Sequence, residues 1–139
     1  METSPAIDGD ALRDARERAG LSQDELARRV GLSSGQRVSR WERGEARPRT
    51  PGLLHATAAA LGVPATTLLV PATAGPSLRW LRFAAGLSVE DVAEATHTSV
   101  SSVKRWEAHG LRAPAPSAVH ALAHALGASP QQVQVALRP

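Results

Sequence analysis

The sequence of 139 residues has no cysteine and no tyrosine, and it has only one phenylalanine, one methionine and one lysine. Without cysteine, a disulfide framework and a thiolate metal site are excluded. Apolar runs long enough to span a bilayer are missing, and the first residues lack the basic-then-apolar order of a signal peptide. These absences favour a soluble, cytoplasmic protein.

The basic character of the chain is local. The formal net charge is +3, from 16 Lys and Arg against 13 Asp and Glu, and this supports a nucleic-acid partner only weakly. Between residues 37 and 49, however, five arginines face only Glu42 and Glu45. These arginines are Arg37, Arg40, Arg43, Arg47 and Arg49. The distribution of charge therefore says more about a partner than the net charge does.

The two halves of the chain repeat one another. The run VSRWE at residues 38–42 returns as VKRWE at residues 103–107. Shorter matches flank these runs in the same order: GLS at 20–22 and 86–88, HA at 55–56 and 120–121, and LG at 61–62 and 126–127. Each copy is large enough for a core of its own. We therefore predict two domains, residues 8–70 and 78–139, joined by a short linker with two prolines at residues 71–77.

No segment alternates as a strand does, so we predict an all-α fold with five helices in each copy. In the first copy they cover about residues 10–19, 22–30, 34–43, 51–61 and 65–69. In the second copy they cover about residues 78–85, 88–96, 99–107, 116–126 and 130–137. Asp10 is the predicted N-cap of the first helix, and Ser22 with Glu25 forms a capping box for the second. Residues 1–8 have few apolar side chains and are predicted to be frayed.

The second and third helices of each copy fit the helix-turn-helix pattern, in which the second helix of the motif carries polar and basic residues on one face. Here the sequence resembles the phage-repressor/Cro-like (XRE) helix-turn-helix family. The matching runs are LSQDELA at 21–27, GLS at 31–33, VSRWERG at 38–44 and LGV at 61–63, and in the second copy LSVEDVA at 87–93, VKRWE at 103–107 and LG at 126–127. The resemblance implies two tandem five-helix domains of the lambda-repressor type and double-stranded DNA as the partner.

Carried over position by position, the resemblance implies that Gln23 contacts a phosphate and that a recognition helix at about residues 34–43 enters the major groove. Glutamine suits adenine and arginine suits guanine. The implied DNA-contacting residues of the first copy are Gln23, Ser34, Gln36, Arg37, Ser39, Arg40, Arg43, Arg47 and Arg49. This copy has one extra residue between Leu32 and Val38, and Gly35 inside a helix would cost about 1 kcal/mol relative to alanine.

In the second copy the implied recognition helix covers about residues 99–107. Its implied DNA contacts are Ser99, Val100, Ser101, Ser102, Lys104 and Arg105. Val89 replaces Gln23 here, and Ala108 and Pro114 replace Arg43 and Arg49. Because it has fewer charges and hydrogen-bonding groups, the second copy is predicted to bind DNA less strongly than the first.

Two pairs of charged residues have a structural interpretation. In the family, an arginine of the first helix often pairs with the glutamate that ends the VSRWE-type run. The resemblance thus implies the ion pairs Arg16–Glu42 and Arg82–Glu107. Trp41 and Trp106 each follow an inward-facing valine by three residues, so we predict that both are core residues and do not stack on DNA.

Metal binding and catalysis have little support in the sequence. His120 and His124 have the i, i+4 spacing of a metal site, but no carboxylate is near in sequence and Ala59 replaces the second histidine in the first copy. We therefore expect them on a solvent-facing helix and predict no metal. The sequence shows no nucleophile–base pair and no glycine-rich phosphate loop, so we predict no enzymatic activity, no cofactor and no small-molecule ligand.

The leading hypothesis from the sequence is a sequence-specific, double-stranded DNA-binding transcriptional regulator, associated with the nucleoid, that uses two unequal helix-turn-helix units. The alternative is a protein-interaction module, such as an antitoxin or a regulatory adaptor, in which the second copy mediates dimerisation or partner binding. Homodimerisation is left open, and no membrane association is expected.

Overall fold

The computed structural model describes residues 4–71 and 75–139, and within these ranges the regular secondary structure is entirely helical. The predicted all-α fold class is confirmed. The chain divides into two compact units, Met1–Val70 (unit 1) and Pro71–Pro139 (unit 2). Residues 72–74, which belong to the predicted linker, lie outside the described residues.

Unit 1 contains four α-helices and a short 3-10 helix. Their bounds are α1 Gly9–Arg18, α2 Gln23–Arg29, α3 Gln36–Glu42, α4 Pro51–Leu61 and the 3-10 helix Ala65–Leu68. The predicted capping box is present, since Ser22 Oγ accepts from the Glu25 N–H and Glu25 Oε1 accepts from the Ser22 N–H, both at 3.0 Å. Local signals therefore set the start of α2.

The start of unit 1 differs from the prediction. Asp8, not Asp10, caps α1, because its Oδ1 accepts from the Ala11 N–H at 3.0 Å. The prediction that residues 1–8 are frayed is wrong for the described residues 4–8, since Ile7 is buried and forms an antiparallel bridge with Leu69. The bridge is a contact between distant parts of the sequence, so local composition could not reveal it. Residues 1–3 lie outside the described part of the chain.

The start of α3 also differs. The helix begins at Gln36 and not near Ser33 or Ser34, and Gly35 is its N-cap residue. Ser34 and Gly35 therefore precede the helix, and the expected cost of a glycine inside it does not arise. The helix ends at Glu42, one residue earlier than predicted.

The core of unit 1 is formed by side chains from all four α-helices. Leu12, Leu26, Val38, Trp41 and Leu54 are fully enclosed or nearly so. Trp41 has no exposed surface, which confirms it as a core residue. α3 packs on both α1 and α2, so the core determines the orientation of this helix about its own axis.

Unit 2 repeats the helical order. Its helices are α5 Leu78–Ala85, α6 Val89–Thr96, α7 Val100–His109, α8 Pro116–Leu126 and α9 Pro130–Ala136. Its core centres on α6, α7 and α8, where Val103 and Leu122 are fully buried and Trp106 is 8% exposed. α7 extends two residues beyond the predicted end at Glu107 and stops at Gly110, which has a φ of 74°.

Two further features concern membrane-spanning helices and metal sites. Within residues 4–71 and 75–139, no helix combines the length and the apolar character needed to cross a membrane. His120 and His124 are both exposed on α8, and the described residues include no group of three or more potential ligands that could hold a metal ion.

A pair of glycines in helix first turns provides a test of the packing between α1 and α3. A Cβ at Gly9 would overlap the main-chain carbonyl of Glu42 at the end of α3, whereas a Cβ at Gly52 meets nothing within 4 Å. We expect Gly9→Ala to lower the free energy of unfolding by about 1–3 kcal/mol, as over-packed sites do. Thermal and urea unfolding followed by circular dichroism would measure the change.

The matched control is Gly52→Ala, which should leave stability unchanged or raise it by up to about 1 kcal/mol, because alanine is the better helix former. Equal stability of the two variants would contradict the close approach of α1 to α3.

Candidate nucleic-acid interface

The turn between α2 and α3 depends on a hydrogen bond from one helix to the start of the next. Gly35 is buried, and its N–H donates to Oδ1 of Asp24 at 2.8 Å. A Cβ on Gly35 would lie 2.6 Å from that oxygen and 2.7 Å from the Asp24 nitrogen, so only glycine fits here. Unit 1 thus accommodates its extra residue in the turn, and α3 starts after it.

α3 separates a buried face from an exposed one. Val38, Trp41 and Glu42 are buried, while Gln36 and Arg40 are exposed on the opposite side at i, i+4 spacing. Arg37 is exposed beside them and Ser39 is half-buried. Most of the sequence-predicted base-contacting residues therefore lie on one solvent-facing surface, and Ser34 lies in the turn just before it.

Gln23, the first residue of α2, contacts the end of α3. Its Nε2 donates to Oε1 of the buried Glu42 at 3.1 Å. An amide nitrogen has two donors, and this bond uses one of them. The predicted phosphate-contacting residue is thus held at the junction of α2 and α3, which the sequence analysis did not foresee.

The arginines that follow α3 have different surroundings. Arg43 forms an exposed ion pair with Glu45, with 2.8 Å between Nε and Oε2. Arg47 Nη1 donates to the main-chain oxygen of Ser4 at 2.7 Å. The side chains of Arg37, Arg40 and Arg49 are exposed and form no hydrogen bond or ion pair with any residue in the part of the chain that the structure describes. All five arginines are thus exposed, but only Arg43 and Arg47 have a bonded partner among the described residues.

A buried ion pair joins α1 to α3. Arg16 Nε lies 2.6 Å from Glu42 Oε2, and Arg16 Nη2 lies 3.1 Å from Glu42 Oε1. Arg16 Nη1 also donates to the Leu21 carbonyl at 2.9 Å. Arg13 adds a longer contact of 3.4 Å to the same carboxylate. The Glu42 side chain has no exposed surface, so these bonds replace the water that its carboxylate loses.

Unit 2 has the same arrangement. Arg82 Nε and Nη2 donate to the two carboxylate oxygens of Glu107 at 2.5 and 3.0 Å, and Arg82 Nη1 donates to the Leu87 carbonyl at 3.2 Å. Arg79 contacts the carboxylate at 3.2 Å, as Arg13 does in unit 1. The sequence analysis missed Arg13 and Arg79, although each precedes the paired arginine by three residues and so lies on the same face of its helix.

Opposing effects act on the Glu42 carboxyl. Burial raises its pKa, but hydrogen bonds from Arg16, Gln23 and Arg13 together with the charge of Arg16 lower the pKa by more. The pKa of Glu42 therefore lies below the ordinary value for glutamate. The carboxylate stays ionised inside the protein and accepts bonds from α1 and α2 at once.

The corresponding surface of unit 2 has fewer exposed polar or charged side chains. Ser99 caps α7 by accepting from the Ser102 N–H at 3.0 Å, and the two hydroxyls are 2.9 Å apart. Val100 is half-buried and packs on the core. Ser101, Lys104 and Arg105 are exposed.

The position that Gln23 holds in unit 1 is apolar in unit 2. Val89, the first residue of α6, is half-buried and packs on the core of its unit. It cannot donate a hydrogen bond from its side chain, either to Glu107 or to a phosphate. The two units therefore share the buried ion pair but differ at the first residue of α2 and α6.

Comparison with known families gives one description for both units. A family model described as a helix-turn-helix domain matches the chain twice, over residues 9–69 and 75–136. Each match contains one of the two Arg–Glu pairs and one of the helices α3 and α7. No curated protein matches the chain.

Replacing Glu42 by glutamine tests the importance of the buried ion pair. We expect Glu42→Gln to lower the free energy of unfolding by about 3–5 kcal/mol, because Arg16 keeps its charge but loses its charged partner. Glu45→Gln is the matched control: it breaks the exposed pair with Arg43 and should cost at most about 1 kcal/mol. Similar losses in both variants, measured by urea unfolding, would show that the buried pair contributes no more than a surface pair.

The lowered pKa of Glu42 predicts a dependence of stability on pH. Since the carboxyl binds its proton more weakly in the folded state than in the unfolded chain, its contribution is complete above the unfolded pKa of about 4.3. The contribution is lost as the pH falls through the lower folded-state pKa. The free energy of unfolding should thus fall with pH in this acid range, and less steeply for Glu42→Gln than for the wild type. Parallel pH profiles would contradict this assignment.

Proposed function

The chain belongs to the helix-turn-helix domain family in two tandem copies, as the resemblance predicted, and from this premise we propose a sequence-specific regulator of transcription. Helix-turn-helix domains bind DNA through the second helix of the motif, which enters the major groove. DNA binding is therefore the general function that the family implies. One observation carries the more specific proposal: the exposed face of α3, with Gln36, Arg37 and Arg40 lying opposite a fully packed core.

We assign the DNA contacts of unit 1 to two groups. Gln36, Arg37 and Arg40, with Ser34 and Ser39 at the edge, would meet base edges or flanking phosphates. Arginine and glutamine form bidentate hydrogen bonds with guanine and adenine. Gln23, Arg43, Arg47 and Arg49 would contact the backbone, and Arg49 could also reach the minor groove. The Arg40 side chain bonds to none of the described residues, which supports its role in base contact.

In unit 2 we assign base or phosphate contact to Ser101, Lys104 and Arg105. Ser99, Val100 and Ser102 lie at the same helix end, but the two hydroxyls also cap α7 and the valine also packs on the core. We propose that residues 8–70 and 78–139 act as separate DNA-binding domains joined by a linker at 71–77. Because the surfaces differ, the preferred DNA site should be asymmetric. Covalent linkage would raise the effective concentration of the second domain at its half-site.

A second candidate function rests on the weaker surface of unit 2. Its Val89 cannot donate to a phosphate, and Ala108 and Pro114 stand where unit 1 has Arg43 and Arg49. These replacements favour a protein-interaction role, such as that of an antitoxin or regulatory adaptor, in which unit 2 mediates homodimerisation or partner binding. Unit 1 alone would then read the DNA. Neither role needs a cofactor or catalysis, and DNA binding would place the protein on the nucleoid.

Selection of bound sequences from random duplex DNA tests the main proposal. We expect one asymmetric consensus with a strong half contacted by unit 1 and a weaker half contacted by unit 2. A symmetric palindrome would instead favour a homodimer that reads DNA with unit 1 only. Failure to enrich any sequence would contradict sequence-specific binding.

Alanine variants distinguish base contacts from backbone contacts. Arg40→Ala should reduce the preference for the selected duplex over a scrambled one by about tenfold or more, because a good base contact contributes about 1–3 kcal/mol. The matched control Arg43→Ala should weaken both duplexes alike and make log affinity fall less steeply with log salt, by a slope of about one. Mobility shifts over a salt series would give both values.

The matching change in unit 2 decides between the two candidate functions. Arg105→Ala should weaken specific binding if both units contact DNA. If Arg105→Ala has no effect while Arg40→Ala abolishes specific binding, unit 2 does not read DNA and the interaction role is favoured. Analytical ultracentrifugation of the wild-type protein would then show whether unit 2 forms a dimer.

A further inference from the structure

The hydrogen bond between Asp24 and Gly35 has no counterpart among the described residues of unit 2. Asp24 lies in the first turn of α2, and its Oδ1 accepts from the Gly35 N–H at 2.8 Å. Glu90 occupies the matching place in α6, where its side chain is exposed and forms no hydrogen bond with the residues that the structure describes. The two units therefore fix the start of their recognition helices in different ways.

The starts of α3 and α7 are held by different hydrogen bonds. α7 is capped by Ser99, which directly precedes it and accepts from the Ser102 N–H. α3 has no side-chain cap, because Gly35 stands at its N-cap position. Within its own turn, Ser34 Oγ accepts from the Gln36 N–H only at a long 3.4 Å. The carboxylate from α2 instead accepts from the N–H of the N-cap residue itself, and so holds the residue from which α3 starts.

We propose that Asp24 is a positioning residue, whose bond to Gly35 fixes the start of α3 and so determines which side chains of unit 1 reach the bases. The inference rests on the proposed function. α3 begins two residues before Val38, whereas α7 begins three residues before the matching Val103. The first residues of a recognition helix are those that meet base edges. A shift at Gly35 would therefore move Gln36 and Arg37 relative to the DNA.

Burial and steric fit support this role. The Gly35 amide lies in a buried residue, so loss of its acceptor would leave an unsatisfied donor unless the turn moved. The approach is too close for any side chain at position 35. Asp24 also follows the proposed phosphate contact Gln23, where a negative charge opposes DNA binding. Its bond to Gly35 gives a structural reason for a carboxylate at this unfavourable place.

Two variants of Asp24 separate the hydrogen bond from the charge. Asp24→Asn and Asp24→Ala both remove one negative charge, but only asparagine retains an acceptor oxygen at this distance. In both variants affinity for scrambled DNA should rise. Asp24→Ala should lose about tenfold in preference for the selected duplex at the half contacted by unit 1, while Asp24→Asn should stay within about threefold of wild type.

Glu90→Ala is the matched control, because it removes a first-turn carboxylate that forms no bond with the described residues of unit 2. It should leave the base preference of both half-sites unchanged. Hydrogen exchange of the Gly35 amide, measured by NMR without DNA, is a second readout. The amide should be protected in the wild type and in Asp24→Asn, and at least tenfold less protected in Asp24→Ala, with the melting temperature recorded for each variant.

Two outcomes would overturn the inference. One is an unchanged base preference in Asp24→Ala. The other is an equal loss of preference in Asp24→Ala and Asp24→Asn, which would assign the effect to the charge. If the wild type selects no sequence, the proposed sequence-specific DNA binding is contradicted independently of the role of Asp24. The exchange of the Gly35 amide would still test whether Asp24 fixes the turn.

Discussion

The structure of each unit depends on one buried carboxylate in the last turn of α3 or of α7. Glu42 is fully enclosed, and an ionised group in that position is tolerated only with charged partners and hydrogen bonds. Arg16 supplies the main partner from α1, and Gln23 adds a donor from α2. Three helices thus meet at one side chain. Because Glu42, Trp41 and Val38 all face inward, Arg40 must face outward, and the same contacts that stabilise the fold orient the surface proposed to bind DNA.

The two units share a buried ion pair and differ in the side chains around it. Arg82, Glu107 and Trp106 reproduce the buried contacts of unit 1 with nearly the same distances. Around them other groups change: the half-buried Val89 packs on the core of unit 2 where the half-buried Gln23 donates to a carboxylate in unit 1, and Ala108 replaces the exposed Arg43. A duplicated fold can retain its ion pair while its two surfaces diverge, because the packing constraints act on the inner face of each helix and leave the outer face free. This separation supports two domains of one family with unequal affinity for DNA.

Local signals in the sequence were sufficient to predict the bounds or caps of several helices. The bounds of α4 and α8 follow from a proline at the first helical position and a glycine just past the end, which act within a single turn. The capping box of α2 needs only residues three apart. The inward position of the two tryptophans followed from their spacing after a valine. In each case the interacting groups are neighbours in sequence, so their pattern carries the structural information.

The all-α class, the duplication and the solvent-facing side of α3 were predictable from the sequence. The start of α3, the residues around Glu42 and the contacts of the N-terminal segment were not, because they arise from packing. Those features depend on Asp24 and Gly35, on Arg13 and on the bridge between Ile7 and Leu69, pairs that lie 11 or more residues apart. The residue that anchors a helix start, or that pairs with a charge, can come from a distant part of the sequence that packing brings close. When the acceptor comes from another helix, no local pattern reveals it.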